Sequence, residues 1–217
     1  MMTFHPPRMT HDGGLRNDRA VLDSWYTDRI AWKAQQPATA FLAEPLPIEA
    51  TTHAGVHTAT TDGTRILVNP AWSAGLDETT RQFVQAHLIW HCAAGHFSLS
   101  GVEDERRWHL ACDHQINTQL LLQGFALPPS AVLFPALIGK SLSQVHAALA
   151  DNPLIDHEVS ADAPPWRMNP AFAAGAAEPT PLQQRWRRHS FRLVRAHLGK
   201  PGLPTSVASW LIGQWTL

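Results

Sequence analysis

The sequence predicts an α+β domain that is mostly helical, with a small antiparallel or mixed sheet near residues 46–69. Helix-type apolar periodicity recurs in several long segments, whereas short β-prone runs and turn signals are grouped in that one stretch. The resulting order of helix, small sheet and further helices keeps the sheet segregated. With 217 residues, of which 44% are hydrophobic, the chain is long enough to build one domain around a core.

The N-terminal third is expected to contain one helix and the sheet. Residues 1–14 predict a disordered lead, and an apolar stripe then predicts a helix from about 15 to 35 that ends before Pro37. The segment "PLPIEATTHAGVHTATTDGTRILVNP" alternates β-prone runs with turn signals, and its Asp62-Gly63 pair is typical of a hairpin.

Two long helices are expected next. Asp77 is a suitable N-cap for a helix that reaches Gly95, and this segment is apolar on nearly all sides, so we expect it to be buried at the centre. The segment "ERRWHLACDHQINTQLLLQG" predicts the second helix, which Gly124 closes. The sequence "SLSQ" at 141–144 matches a capping box for a shorter helix.

The C-terminal part begins with a long loop. Residues 151–181 are rich in Pro and Ala and show no periodicity. A helix over 181–199 and a last short helix follow, so residues 15–213 are expected to form a single domain.

Composition excludes several classes of protein. The net charge of −1 indicates no general attraction to nucleic acid or to an anionic membrane. The sequence shows no secretory signal and no apolar run of membrane-spanning length, and it has only two cysteines. A cytoplasmic protein without disulfides is therefore expected.

The stretch "HLIWHCAAGH" carries the most informative pair of side chains. His87 and His91 are four residues apart, so a helix presents both imidazoles on one face. Spacing alone is weak, because 13 histidines in 217 positions give ~0.8 such pairs by chance. A second pair, His53 and His57, lies in the turn-like sequence "HAGVH". The helical context of His87 and His91 is what makes them candidate metal ligands.

A zinc site needs at least a third protein ligand. Asp113 is the best candidate, because an aspartate in the apolar helix "LACDHQINTQLL" needs a partner, and a metal ion is one. His96 competes for this position if the helix that carries His87 and His91 breaks at Gly95. His109 and His114 are further options. Asn117 lies one turn beyond Asp113 and could hydrogen-bond a ligand.

Four motifs carry a resemblance to a known family. The sequences "TDGTRILVNP", "HLIWHCAAGH", "RRWHLACDHQIN" and "LLLQGFALPP", in this order, resemble the metallopeptidase domain found beside von Willebrand factor A-like domains in bacteria. The stretch "QQRWRRHSFRLVRAHLGKPGLP" is similar to the last helices of that domain, so the resemblance covers roughly residues 37–213.

The resemblance implies a zincin-like fold with a substrate edge strand near 57–69. It implies zinc as the metal, His87 and His91 as ligands, and Asp113 or His96 as the ligand that completes the set. The implied partners are a MoxR-type AAA ATPase and a von Willebrand A-like protein, with a protein or peptide as the ligand.

The sequence departs from the family pattern H-E-x-x-H at one position, where Leu88 replaces the glutamate. That glutamate takes a proton from water at the metal and passes it to the leaving amine, and its loss typically slows the reaction ~10²–10⁴-fold. Glu103 and Glu105, at the start of the second long helix, and Glu158, in the long loop, are possible substitutes.

Three interpretations therefore compete. The first is a pseudoenzyme: a metallopeptidase-like protein that binds metal, is impaired in proteolysis and acts as a binding or regulatory component. The second is an active zinc-dependent hydrolase with a displaced acid, and the third is a metal-free, structural helical domain. The first is favoured, because the surrounding motifs are kept while Leu88 replaces the catalytic glutamate.

Overall fold

A computed structural model describes residues 11–97, 104–150, 152, 158–168 and 180–216, with side chains from residue 18 onward. Its elements, in chain order, are α1 (His11–Gln35), α2 (Pro37–Ala43), β1 (Ile48–Ala50), β2 (Ala59–Thr61), β3 (Ile66–Val68), α3 (Pro70–Ser73), α4 (Glu78–Ala94), α5 (Glu105–Leu122), α6 (Leu142–Ala148), α7 (Pro181–His197) and α8 (Thr205–Gly213), with 3-10 turns at Pro135–Leu137 and Pro165–Arg167. The predicted class, mostly helical with a small mixed sheet, is confirmed. No helix among these residues is long and apolar enough to cross a bilayer.

The first helix is longer than expected. It begins at His11, so residues 11–14 of the predicted disordered lead are helical, and residues 1–10 lie outside the described part. The paired glycines in "HDGG" are poor helix formers, which is why the sequence pattern places the start too late. The extent of the single domain, 15–213, remains a prediction.

The sheet has three strands in the order β1-β3-β2. β2 and β3 form the expected antiparallel hairpin, in which Ala59 pairs with Val68, while β1 runs parallel to β3, with Ile48 opposite Ile66. β2 is an edge strand, as expected for this region, but its edge is partly covered, because the Ala163 N–H donates to the Ala59 carbonyl at 2.9 Å.

The hairpin turn explains the T-D-G motif. The Asp62 carboxylate accepts from the backbone N–H groups of Thr64 at 2.8 Å and Arg65 at 3.1 Å. Gly63 has a φ of 76°, and a Cβ there would lie 2.9 Å from the Phe97 ring. The Gly63 carbonyl accepts from Trp186 Nε1 at 2.8 Å, which fastens the turn to α7. Both the turn conformation and the close packing therefore require glycine.

Helix α4 is the buried centre of the molecule, as its sequence predicts. Asp77 caps its first turn by accepting from the Thr80 N–H at 2.7 Å, and Gly95 ends it with a φ of 78°. Every residue from Phe83 to Ala94 is buried. Helix α4 packs against α1, α2, α5 and α7, so its side chains are shielded on all sides.

Helix α5 lies against α4 and is itself buried from His109 to Leu120. Its other neighbour, α6, starts with the capping box predicted at Ser141 and Gln144. The packing of α5 on α4 brings polar side chains from two helices into one interior space.

The segment 158–168 belongs to the predicted loop 151–181, yet it is firmly attached to the sheet. The Thr60 hydroxyl donates to the Ala163 carbonyl at 2.6 Å, and Ala163 also bonds to Ala59. A 3-10 turn follows at Pro165–Arg167, with Trp166 buried. These contacts place Asp162 against the interior space between α4 and α5.

Candidate metal centre

Helices α4 and α5 bring together three side chains that the sequence singles out: His87, His91 and Asp113. The Nε2 atoms of His87 and His91 are 2.9 Å apart. Asp113 Oδ1 lies 3.2 Å from His91 Nε2 and 3.5 Å from His87 Nε2. Four ligands placed about 2.1 Å from one ion in a tetrahedron lie roughly 3.4 Å from one another. The three donor atoms are therefore spaced as metal ligands are.

Asp113 is a buried carboxylate that is surrounded by imidazoles. It is fully buried, and neither of its carboxylate oxygens has a hydrogen-bond partner among the described residues. Imidazole nitrogens approach Oδ1, but none of them has hydrogen-bond geometry. A buried carboxylate in this state is costly unless a cation compensates it, so the residues fit a metal ion.

Asn117 fixes the orientation of His87. Its Nδ2 donates to the Val132 carbonyl at 2.9 Å, which leaves Oδ1 to accept from His87 Nδ1 at 2.8 Å. Nδ1 of His87 thereby carries a proton, and Nε2 faces the centre. This is the second-layer role expected of a residue beside a ligating histidine.

His96 lies behind His91 rather than beside the converging donors. The Nδ1 atoms of the two rings are 3.3 Å apart, and His91 directs its other nitrogen, Nε2, toward Asp113. Burial, and then the neighbouring His91, lower the pKa of His96 well below its usual value, so His96 is neutral and can accept from His91 Nδ1. Of the two candidates for third ligand, Asp113 is the one placed at the donor pair.

Two further donors reach the same space. His109 Nε2 lies 3.4 Å from Asp113 Oδ1 and 3.0 Å from Asp162 Oδ1. The sequence offers His109 only as an option and does not point to Asp162. Asp162 bears no spacing relation to the histidines, and an acid in an otherwise Pro- and Ala-rich stretch was its only signal.

The electrostatics of the cluster demand positive charge. Burial alone would lower the pKa of His87, but the Asp113 and Asp162 carboxylates outweigh it and raise the pKa to about 10. Burial likewise opposes ionisation of Asp113, yet the His109 and His87 imidazoles hold the pKa of this carboxyl well below its usual range. A metal ion can replace the proton on His87, so metal binding here should release protons.

Of the suggested substitutes for the missing glutamate, the two that the structure describes, Glu105 and Glu158, are not among the converging donors. Leu88 is fully buried in the main hydrophobic core. The Glu105 carboxylate accepts from Trp166 Nε1 at 2.9 Å and from Arg167 Nε at 2.7 Å. The Glu158 backbone carbonyl accepts from Arg106 Nη2. Neither Glu158 nor Glu105 belongs to a donor group. Glu103 lies outside the described residues.

A cleft of about 360 Å³ connects solvent to one side of the centre. His109 and Asp162 line it, together with Glu105, Gly55 and His57. His87 and His91 do not line it and are at most 1% exposed. A small molecule would therefore meet the centre from the His109 and Asp162 side.

The two cysteines do not contribute donors. Both are buried, and burial raises the pKa of Cys92 to about 12 and that of Cys112 well above its usual value. Neither belongs to the donor groups found among the described residues. Both thiols stay protonated and pack as small apolar side chains.

The fold and this histidine–aspartate cluster define a protein with a candidate metal centre of the metallopeptidase type. A family model described as "Putative metallopeptidase domain" matches residues 29–156, more than half of the chain, and the chain belongs to this family. The match includes His87, His91 and Asp113 and ends before Asp162. No match is found among curated proteins or among solved structures.

Proposed function

We propose that the chain is a metallopeptidase-like protein with a zincin-like fold that binds zinc but has lost ordinary peptide hydrolysis. The observation that carries this proposal is the convergence of His87, His91 and Asp113, all buried, with the carboxylate of Asp113 lacking a hydrogen-bond partner among the described residues. Two imidazoles and one carboxylate are a common ligand set of catalytic zinc sites.

When bound, zinc supplies Lewis acidity and lowers the pKa of nearby water to about 7 in favourable sites. The chain's own task would then be to accept and return a proton. At the position where the family pattern has glutamate, Leu88 offers only an apolar side chain, and it is fully buried in the core. Rates lower by ~10²–10⁴ than those of an intact site are expected for that reason.

We extend the proposal to a binding or regulatory role. A protein that keeps the buried ligands but lacks the general base can still recognise a protein or peptide without cleaving it. The resemblance to domains found beside von Willebrand A-like proteins and MoxR-type AAA ATPases supports partners of those two classes. The chain should co-purify with such an ATPase when the two are co-expressed. Absence of co-purification would contradict this role.

Metal analysis tests the proposal. Protein purified without chelator and without added metal should carry about one or more zinc ions per chain, and the double variant His87→Ala/His91→Ala should carry none while keeping its helical circular dichroism. Folded wild-type protein that neither retains nor takes up zinc would contradict the proposal and leave a metal-free structural domain.

A second candidate, an active hydrolase with a displaced acid, is favoured by one observation. The cleft reaches Asp162, so a carboxylate other than one at position 88 stands at the centre. Chelator-sensitive cleavage of an unfolded protein by wild-type chain, absent in the His87→Ala/His91→Ala variant, would support this candidate. Zinc-loaded protein that cleaves nothing supports the pseudoenzyme.

A further inference from the structure

We infer that His109 and Asp162, which the three-ligand motif does not contain, are also metal ligands, so that the centre has five protein donors. This inference rests on the proposed function, because it takes His87, His91 and Asp113 as ligands. It adds an α5 side chain and a residue beyond the family match to the site.

The donor atoms form a closed ring. The Nε2 atoms of His91 and His87 are 2.9 Å apart, and His87 Nε2 lies 3.7 Å from Asp162 Oδ1. Asp162 Oδ1 in turn lies 3.0 Å from His109 Nε2. The ring then passes to Asp113 at 3.4 Å and returns to His91 at 3.2 Å. Ligands of one ion at about 2.1 Å are separated by roughly 3.0 Å in an octahedron and 3.4 Å in a tetrahedron. Neighbouring donors are therefore spaced roughly as the ligands of one ion are, and the donors form two groups that share Asp113.

The two added residues have unused polar atoms. His109 Nε2 and Asp162 Oδ2 are buried and have no hydrogen-bond partner among the described residues. The side chains of His109 and Asp162 are 8% and 0% exposed. Asp113 and Asp162 are neighbouring buried carboxylates whose oxygens include some without a hydrogen-bond partner among the described residues, so a divalent cation between them would stabilise both.

The surrounding structure holds Asp162 in place without help from a metal. The Ser160 hydroxyl donates to Asp162 Oδ1 at 2.7 Å, and Ala163 is hydrogen-bonded to β2 on the other side. His109 stands on α5 with its ring 5.6 Å, centroid to centroid, from the Trp166 ring. Preorganised ligands of this kind bind more tightly, because their ordering is completed on folding.

The ligand set indicates a divalent first-row transition ion in five- or six-fold coordination. Three imidazoles with two carboxylates suit such ions, and six-fold coordination would leave one position for water. His109 and Asp162 are the donors that line the cleft, so solvent would reach the bound ion from their side.

Zinc affinity of matched variants tests the inference. We would titrate Zn²⁺ against a chromogenic chelator with wild-type protein, Asp162→Asn and His109→Gln, and with Glu105→Gln as the control. Glu105 lines the same cleft but is held by Trp166 and Arg167, so its variant removes a negative charge without removing a donor. Asp162→Asn and His109→Gln should each raise the zinc dissociation constant at least about tenfold, whereas Glu105→Gln should leave it unchanged.

The outcomes separate this inference from the proposed function. Wild-type protein that binds no zinc would contradict both. Zinc binding that is lost in His87→Ala/His91→Ala but unaffected by Asp162→Asn and His109→Gln would overturn the inference alone, as would an equal loss in Glu105→Gln.

A measurement on the wild-type chain covers the case in which these variants do not fold. The visible absorption of Co²⁺-substituted protein reports coordination number, since tetrahedral Co²⁺ absorbs strongly and five- or six-coordinate Co²⁺ weakly. Weak bands support the five-donor centre, and strong tetrahedral bands contradict it.

Discussion

Asn117 shows how a single amide can orient a candidate metal ligand. It bonds to the Val132 carbonyl with its nitrogen and to His87 Nδ1 with its oxygen, so the direction of the amide is fixed. The sequence placed it one turn beyond Asp113 and suggested a hydrogen bond to a ligand, but which ligand it meets depends on how α5 packs on α4.

Replacing Asn117 by Ala should weaken zinc binding about 10–100-fold, because His87 is then free to change tautomer and rotate. The matched control is Gln115→Ala on the same helix, which also removes a buried amide bonded to a backbone carbonyl, that of Lys140. Competition titration with a chelator measures both. Equal zinc affinities of the two variants would count against the orienting role of Asn117.

Leu88 permits a test of what the catalytic position lacks. In zinc-loaded protein, Leu88→Glu should raise chelator-sensitive peptide hydrolysis by ~10²–10⁴ over wild type, since it restores a general base beside His87. The metal-free variant should also be less stable, because a carboxylate then stands in the buried core. Leu88→Gln introduces a side chain of nearly the same shape as glutamate but without a carboxylate, so it should show no gain in hydrolysis. A folded, zinc-loaded Leu88→Glu protein that remains inactive would show that more than this residue has been lost.

At the scale of elements, the T-D-G turn should give stability a pH dependence. Burial alone would raise the pKa of Asp62, but hydrogen bonds from Thr64 and Arg65 outweigh it and lower the pKa below its ordinary value. A depressed pKa stabilises the fold above the unfolded-state pKa of about 3.9 and loses this effect as pH falls through the folded-state value. The difference in unfolding free energy between wild type and Asp62→Ala should therefore be full above about pH 5 and shrink toward pH 3. Urea unfolding at several pH values measures it; a difference that grows with acidification would contradict the assignment.

The end of α4 provides a second element-scale prediction. Gly95 has a φ of +78°, and a Cβ there would lie 2.6 Å from the Trp215 ring, whereas Gly124 has a φ of +85° and open space around it. Gly124→Ala should cost about 1–2 kcal/mol for backbone conformation alone, and Gly95→Ala at least about 1 kcal/mol more because of the collision. Thermal or urea unfolding compares them, and equal losses would mean that Trp215 moves away freely.

Local signals explain what the sequence could predict. The caps at Asp77 and Ser141, the Asp62-Gly63 turn and the apolar character of α4 act within a few residues, and each is found where the sequence places it. The parallel pairing of β1 with β3 and the position of Asp162 arise from contacts between distant segments. Asp162 is missed because nothing within its own stretch indicates which helix it will meet.

For the whole molecule, the segments beyond the family match help to build the site. Segment 158–168 delivers Asp162, and α7 covers α4, where the Ser190 hydroxyl donates to the Ala93 carbonyl at 2.8 Å. Trp215 Nε1 donates to the same carbonyl at 2.8 Å. These contacts close the end of α4 that carries His91, so the candidate metal centre depends on the C-terminal part as well as on residues 29–156.

The most direct test of the metal centre is zinc K-edge X-ray absorption of the zinc-loaded protein after gel filtration. We predict a first shell of nitrogen and oxygen atoms at about 2.0–2.1 Å, with the outer-shell scattering typical of imidazole. That scattering should come from at least His87 and His91. A sulfur shell at about 2.3 Å, which would assign the metal to Cys92 or Cys112, or protein that emerges from the column folded but without zinc, would contradict the account.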